Sequence, residues 1–298
     1  MRKDKLGILF AILAALCYAL LNPINKLIST DISPLLSASM LYIGTFIIAS
    51  IVIIVEICLK KIHRDDFLNK KEFLYLLLAV IFHVGATISL MFGLREISST
   101  NASLLASFEI ISTSLLAFFI FKENISKYLW VGIGFIFVAC IIISLGDFEN
   151  LHFSLGTLLC LISPICFGFA SNFLKKVSNK NPAIPTSLLG LSGGVICLLI
   201  ALIYGERFTS FAPVAITVSL GIVSYGIALI FFVYAERFVG ASKTAAFFCL
   251  APFIAIILSL IIFQEIPNYT FFIGLGLLIV GLGFASLDAF LKKRSKIS

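Results

Sequence analysis

Residues 101–143 read NASLLASFEIISTSLLAFFIFKENISKYLWVGIGFIFVACIII. Two apolar runs, at 100–121 and 128–145, are separated here by a short polar link. Each run is about 20 residues long, which is the length of a helix that crosses the hydrocarbon core of a bilayer. The stretch therefore predicts two membrane-spanning helices joined by a short loop.

The rest of the chain has the same character. Of its 298 residues, 60% are hydrophobic and 12% are charged, whereas a soluble domain has roughly 25% charged residues. This composition excludes a water-soluble globule and predicts an all-α membrane protein without an extramembrane domain. Ten transmembrane helices are predicted, at 6–28, 35–59, 72–94, 100–121, 128–145, 154–174, 185–204, 212–234, 244–263 and 269–291.

The positions of lysine and arginine predict how these spans are oriented. With ten spans, both termini lie on one side of the membrane, and that side receives all of the 22 lysines and arginines except Lys26, Arg95 and Arg207. Cytoplasmic loops are enriched in these residues. We therefore expect a multi-pass protein of the plasma (inner) membrane with both termini in the cytoplasm.

The sequence also contains an internal repeat. A shift of 142 residues matches Glu123 with Glu265, and a shift of 149 residues matches Lys26 with Lys175. The predicted domains are 1–148 and 149–298, with five spans each. Because five is odd, the second half enters the membrane from the opposite side. Such inverted repeats bind a solute near the bilayer midplane and expose it alternately to either face, so we expect a central cavity and alternating access.

Residues 101–143 and 221–265 resemble the two EamA-type repeats of the drug/metabolite transporter (DMT) superfamily. The second segment reads GIVSYGIALIFFVYAERFVGASKTAAFFCLAPFIAIILSLIIFQE. The resemblance covers almost the whole chain and depends on the alanine- and serine-rich helix start, the terminal Lys/Gln-Glu and the glycine-rich span that follows. It implies a ten-helix transporter of small metabolites with a central cavity, and it implies no particular substrate. The proline often found in mid-helix is present as Pro252 and is replaced by Ile110 in the first copy.

Glu109 is the most informative polar residue. It lies in the middle of the fourth predicted span, where a charged carboxylate costs at least about 2.5 to 3.5 kcal/mol, and its helix face also carries Asn101, Ser112 and Thr113. Three interpretations are open. Glu109 is a counter-ion or proton carrier for transport, or it pairs structurally with His83, whose depth differs by about 3 Å, or it bonds a backbone carbonyl at a helix contact.

Aromatic and amide side chains in other spans complete the candidate binding site. Aromatic rings stack on ring substrates or hold an ammonium group, although ordinary core or lipid-facing positions also explain them. Amides in apolar helices bind ligands or join helices by hydrogen bonds. The candidate substrate-binding residues are Glu109, His83, Tyr18, Asn22, Asn25, Asn101, Ser112, Thr113, Phe167, Asn172, Tyr225 and Tyr234.

These residues favour a transporter over an enzyme. The sequence has no H-E-x-x-H zinc motif and no phosphate-binding P-loop, so no catalytic residue, metal or cofactor is expected. One acid with an imidazole, amides and aromatic rings suits a small polar or amphipathic metabolite, such as an amino acid or amine, better than a phosphate. The expected partners are this solute, protons as a candidate co-substrate and the lipid bilayer, but not nucleic acid. The alternative is a non-transporting membrane scaffold or a lipid-handling protein built on the same repeats.

Overall fold

The computed structural model of the chain describes residues 2–60, 62, 67–122, 127–145, 154–177, 180–208, 210–239, 244, 247–248, 250–264 and 269–294. These residues form helices joined by short links, and no strand occurs within the described ranges. The helices are α1 Arg2–Ala19, α2 Leu21–Ile28, α3 Pro34–Cys58, α4 Lys70–Glu96, α5 Ser99–Leu105, α6 Phe108–Phe121, α7 Lys127–Leu145, α8 Leu155–Lys175, α9 Ala183–Ile203, α10 Phe211–Leu220, the π-helix Gly221–Ile227, α11 Ala228–Val239, α12 Leu250–Phe263 and α13 Tyr269–Arg294.

The helices have the length and composition of membrane spans. In the described parts of the chain, seven helical stretches are long and apolar enough to cross a bilayer. They are Lys5–Ile28, Pro34–Cys58, Lys70–Glu96, Ser99–Ile120, Leu155–Lys175, Ala183–Ile203 and Phe211–Ala235. Shorter apolar helices lie at Lys127–Ile142, Leu250–Phe263 and Tyr269–Phe284. The prediction of an all-α membrane protein is confirmed, and the seven long stretches fall at the positions of seven of the ten predicted spans.

Local sequence sets where several helices begin. Pro34 occupies the start of α3, where its missing N–H is not needed. Asn69 caps α4, because its side chain accepts a hydrogen bond from the Glu72 backbone N–H (2.9 Å) while the Glu72 carboxylate accepts one from the Asn69 N–H (2.8 Å). The Ser154 hydroxyl accepts from the Thr157 N–H (3.1 Å) at the start of α8. These caps satisfy backbone groups that lie at the ends of apolar helices.

Three of the long apolar stretches are interrupted. The first breaks after Ala19, the residue whose carbonyl would have bonded to the N–H that Pro23 lacks. The fourth breaks at Ala106 and Ser107, between α5 and α6. The seventh, Phe211–Ala235, widens into the π-helix Gly221–Ile227, a form that often occurs at functional sites. The interruptions place irregular backbone inside the membrane-spanning part of the protein, where it is tolerated if it lies against protein or a cavity.

The helix contacts follow a two-fold pattern. When each span is exchanged for the span five places away, the contact of α1 with α11 becomes the contact of α8 with α4, and the structure contains both contacts. Under the same exchange, the pairs α3 with α9, α7 with α13 and α5 with α12 return to themselves. A pseudo-two-fold axis between the halves explains this arrangement.

The central pair, α3 and α9, runs antiparallel. Tyr42 lies against Gly193, and the hydroxyls of Ser50 and Ser187 are 3.2 Å apart, so residue numbers rise along α3 as they fall along α9. The fully buried Tyr42 places this seam in the core. Antiparallel packing of two equivalent spans agrees with the inverted repeats predicted from the sequence.

Candidate functional site

Glu109 lies where the fourth span is interrupted. It is in the first turn of α6, and its backbone N–H donates to the Ala106 carbonyl (3.0 Å) across the break. Its Oε1 accepts a hydrogen bond from the Ser171 hydroxyl of α8 (3.4 Å). The Ile110 N–H likewise donates to the Ser107 carbonyl (3.1 Å). The break therefore places this carboxylate at the start of a helix inside an apolar span.

Groups from both halves surround this carboxylate. Tyr18 of α1 and Tyr225 of the π-helix lie close enough to Glu109 to interact with it electrostatically. Glu109 and Tyr18 are deeply surrounded by protein, yet both side chains keep part of their surface accessible.

A second polar group centres on Tyr42. Its hydroxyl lies 2.7 Å from Nδ1 of His83 and 2.8 Å from Oγ1 of Thr87. The Thr87 hydroxyl also donates to the His83 backbone carbonyl (3.0 Å) and lies 3.2 Å from the Tyr225 hydroxyl. The network joins α3 and α4 of the first half to the π-helix of the second, so it orients the His83 ring relative to both halves.

Three aromatic rings enclose the His83 imidazole. Phe167 of α8 packs edge-to-face on it with ring centroids 4.9 Å apart, and Tyr225 does so at 5.5 Å. The Tyr42 ring lies at 5.6 Å. Aromatic faces and edges of this kind form an amphipathic wall with hydroxyl groups at its margin. Tyr225 belongs to this group and also interacts with Glu109, so it connects the two parts of the site.

Glu109 and His83 have different hydrogen-bond partners within the described residues. The imidazole is bound by Tyr42 and the carboxylate by Ser171. The two side chains therefore belong to separate hydrogen-bond groups in the described part of the chain.

Two of the predicted amides join neighbouring helices in the first half. Asn22 Nδ2 donates to the Ser103 hydroxyl (3.2 Å), which connects α2 to α5. Asn25 Oδ1 accepts from the Ser37 hydroxyl (3.1 Å), which connects α2 to α3. Both asparagines are buried, so these amides hold the half-helix α2 in place.

Asn172 and Ser112 form a similar connection between α6 and α8. Asn172 Nδ2 donates to the Thr113 carbonyl (3.1 Å) and to the Gly168 carbonyl (2.9 Å). The Ser112 hydroxyl donates to the Pro164 carbonyl (2.7 Å). These contacts hold α6, and with it Glu109, against α8.

Two predicted residues occupy other positions. The Tyr234 hydroxyl donates to Oε1 of Glu56 (2.8 Å) near the end of α3, and its ring packs with Phe10. Asn101 is half-buried in α5, where its backbone N–H donates to the Ser98 hydroxyl (3.2 Å). The structure thus groups Tyr18, His83, Glu109, Phe167 and Tyr225 around one region of the protein interior.

Sequence reasoning missed three members of this group: Tyr42, Thr87 and Ser171. Thr87 follows His83 by four positions, so the two share a helix face, and that spacing was a usable signal. Ser171 precedes Asn172 in the same apolar helix. Tyr42 gave no comparable signal, because its role depends on the packing of α3 between α4, α9 and the π-helix.

The family and the two relatives that this chain matches here are all named as transporters. The model of the EamA-like transporter family matches residues 5–145 and again 154–287. The "Uncharacterized transporter YyaM" of Bacillus subtilis (strain 168) is 23% identical over 247 residues, which are 80% of each chain. An "Uncharacterized transporter" of Methanothermobacter thermautotrophicus is 29% identical over 213 residues, which are 69% of this chain and 60% of the relative.

A solved structure titled "Crystal structure of protein" has the same fold, with a TM-score of 0.68, 14% identity and coverage of 95% of this chain and 97% of that one. The family matches cover both halves of the sequence, and they confirm the resemblance given by residues 101–143 and 221–265. The chain is therefore an integral membrane protein with several spans, and it belongs to the EamA-like transporter family.

Proposed function

We propose that the protein carries a small polar or amphipathic metabolite, of the amino acid or amine class, across the plasma membrane by alternating access. In this proposal the domains are 1–148 and 149–298, each with five spans, and both termini are cytoplasmic. The two-fold exchange of helix contacts and the antiparallel seam of α3 and α9 support it, because a solute site between inverted repeats can open to either face.

One observation carries the proposal. Glu109 of the first domain lies at a helix break, where it accepts a hydrogen bond from Ser171 of the second domain, and Tyr225 and Tyr18 lie within electrostatic range of it. A carboxylate inside a membrane is costly unless it has a cationic partner, a proton or a hydrated surrounding. Among the described residues, the Glu109 carboxylate receives one hydrogen bond, from the neutral Ser171, which leaves room for a cationic group of the solute.

The aromatic group beside Glu109 suits the rest of such a solute. The rings of Phe167, Tyr225 and Tyr42 surround His83 and offer apolar surface with hydroxyl groups next to the carboxylate. The chemistry favours a binding mode in which the ammonium group of the solute binds Glu109 and its apolar or aromatic part packs against these rings. Because a carboxylate binds a proton or an ammonium group but not both, exchange of the two at Glu109 would couple transport to protons.

A thermal-shift screen of the purified protein tests the binding step. A ligand that binds only the folded state raises the melting temperature, so we expect amine-bearing metabolites to stabilise the wild type and to lose that effect in Glu109→Gln. Glu96→Gln is the matched control, because Glu96 is exposed at the end of α4 and its substitution removes a carboxylate without touching the site. Equal shifts in wild type and Glu109→Gln would contradict the proposed role of Glu109.

Reconstituted protein that moves no solute and instead binds or transfers lipid would favour the scaffold or lipid-handling alternative. Liposomes that contain the protein and a metabolite stabilising it in the screen distinguish these cases.

A further inference from the structure

A carboxylate just beyond the end of α9 binds the start of α3. Glu206 follows the end of α9, and its Oε2 accepts hydrogen bonds from the Ser33 hydroxyl (2.5 Å) and from the Leu36 backbone N–H (3.0 Å). Its own backbone N–H donates to the Ala201 carbonyl (2.9 Å). The negative charge lies at the N-terminus of α3, where unpaired N–H groups favour it.

The opposite end of the same pair carries an equivalent contact. Glu56, in the last turn of α3, accepts from Asn181 Nδ2 (2.5 Å) just before α9 begins, and from the Tyr234 hydroxyl (2.8 Å) of α11. Asn181 Oδ1 in turn accepts from the Ala183 N–H (3.0 Å) at the start of α9. Each of the two central helices thus ends in a carboxylate that binds the beginning of the other.

The surface between these ends is closely packed. A Cβ atom added at Gly190 would lie 2.6 Å from the Phe46 backbone nitrogen, and one added at Gly193 would lie 2.8 Å from the Tyr42 ring. The Ser39 hydroxyl donates to the Gly194 carbonyl (2.9 Å). Separating α3 from α9 would break contacts along the whole length of both helices.

The contact between α5 and α12 also joins the two halves, but it is poorer in polar partners. The Ser259 hydroxyl donates to Ser99 (3.0 Å). In and just after α5, the buried hydroxyls of Thr100 and Ser107 have no hydrogen-bond partner among the described residues, and neither does Asn22 Oδ1 on α2, which contacts both α5 and α12. Buried polar atoms without a hydrogen-bond partner cost free energy. Water could bond to these atoms once the interface opens, and the cost would then be removed. This interface therefore loses less when it separates.

We infer that α3 and α9 remain joined throughout the transport cycle, as a fixed spine held by Glu56 and Glu206, while the ends of α5 and α12 that meet at Ser99 and Ser259 come apart. This inference rests on the alternating-access part of the proposed function. Both carboxylate contacts are made in one structure, whereas two alternating gates would close one at a time. Glu56 and Glu206 are positioning residues, since they act through the helices they hold.

Hydrogen–deuterium exchange of the wild-type protein in lipid nanodiscs tests the inference without a known substrate. We expect amides of 34–58 and 183–203 to exchange at least tenfold more slowly than those of 99–107, because local opening exposes only the moving segment. Exchange within α3 and α9 as fast as within 99–107 would overturn the inference.

Two matched disulfide variants test whether α3 and α9 stay joined while the contact between α5 and α12 opens. Ser50→Cys/Ser187→Cys joins α3 to α9 and Ser99→Cys/Ser259→Cys joins α5 to α12, and each pair replaces two hydroxyls in contact. Mass spectrometry of the peptides identifies the joined thiols, with the native cysteines retained. Oxidation of the 99/259 pair should abolish the fast exchange of 99–107, and oxidation of the 50/187 pair should leave it within twofold of the reduced form.

Slowing of residues 99–107 by the 50/187 disulfide would show that α3 and α9 must separate, and would overturn the spine while leaving alternating access intact. Uniformly slow exchange in the wild type, with no effect of either disulfide, would overturn both the spine and the alternating-access proposal.

Discussion

The Tyr42 hydroxyl lies 2.7 Å from Nδ1 of His83, and this contact joins the central helix α3 to α4. The same oxygen lies 2.8 Å from Thr87, which reaches Tyr225 in the other half of the protein. Tyr42 is fully buried, so it has no water with which to replace these partners. One phenol oxygen therefore holds the imidazole and links the two halves at the level of the site.

Replacing Tyr42 with Phe should destabilise the protein and loosen the site. The change removes two buried hydrogen bonds and keeps the ring, so we expect a loss of about 1 to 3 kcal/mol. The measurement is thermal unfolding in detergent, together with the ligand-induced shift. Tyr204→Phe is the control, because Tyr204 is 78% exposed. An unchanged melting temperature in Tyr42→Phe would show that the network contributes no stability.

Replacing Thr100 with Val should stabilise the protein. The buried Thr100 hydroxyl lacks a hydrogen-bond partner in the described part of the chain, and valine has nearly the same shape without the polar atom. Removal of an unsatisfied buried polar group recovers about 1 to 3 kcal/mol. Thr217→Val is the matched control, since the buried Thr217 hydroxyl donates to the Pro213 carbonyl (2.7 Å). Thr100→Val less stable than wild type would show that the hydroxyl is bonded after all.

Gly44 permits a backbone contact that no other residue allows. A Cβ atom there would lie 2.1 Å from the Val218 carbonyl oxygen in α10. Gly44→Ala must push α3 away from α10, so we expect a loss of about 1 to 3 kcal/mol by overpacking, measured as reduced thermal stability. Gly85→Ala is the control, because nothing lies within 4 Å of its added Cβ. Equal stability of the two variants would contradict the close approach.

Glu206→Ala should weaken the start of α3. The substitution removes the acceptor of the Ser33 hydroxyl and of the Leu36 N–H, and loss of a helix N-terminal cap costs about 0.5 to 2 kcal/mol. Faster hydrogen exchange confined to the first turn of α3 is the expected signature. The neighbouring, exposed Arg207 provides the control variant Arg207→Ala. Exchange in α3 that matches wild type would argue that the carboxylate contact is dispensable.

Sequence alone predicted the class of the protein well, because hydrophobic runs of membrane length leave few alternatives. The positions of the seven long spans could be predicted from the order of residues. The same order showed Glu109 as an acidic residue within an apolar span. The repeat was readable too, since the shift of 149 residues that relates Lys26 to Lys175 also relates Gly44 to Gly193. Both glycines lie at close helix contacts, Gly44 against Val218 and Gly193 against Tyr42.

Details inside the spans were less predictable. The break at Ala106 and Ser107 and the π-helix at Gly221–Ile227 lie within runs that the sequence predicts as continuous helices, and no periodicity marks them. Tyr234 is an aromatic residue of the kind expected in a binding site, but its hydroxyl donates a hydrogen bond to Glu56. Asn172 and Ser112 use their polar atoms on carbonyls of neighbouring helices. Which polar residue faces a solute and which joins two helices depends on packing that one sequence does not reveal.

Solute uptake into liposomes tests the central claim, that transport passes through Glu109 between the two halves. The solute is the metabolite that gives the largest thermal shift, and uptake is followed with and without an imposed pH gradient. We predict that wild type and Glu96→Gln take it up at similar rates, and that Glu109→Gln is at least tenfold slower and insensitive to the gradient. Uptake by Glu109→Gln at the wild-type rate, with the same response to pH, would contradict the account.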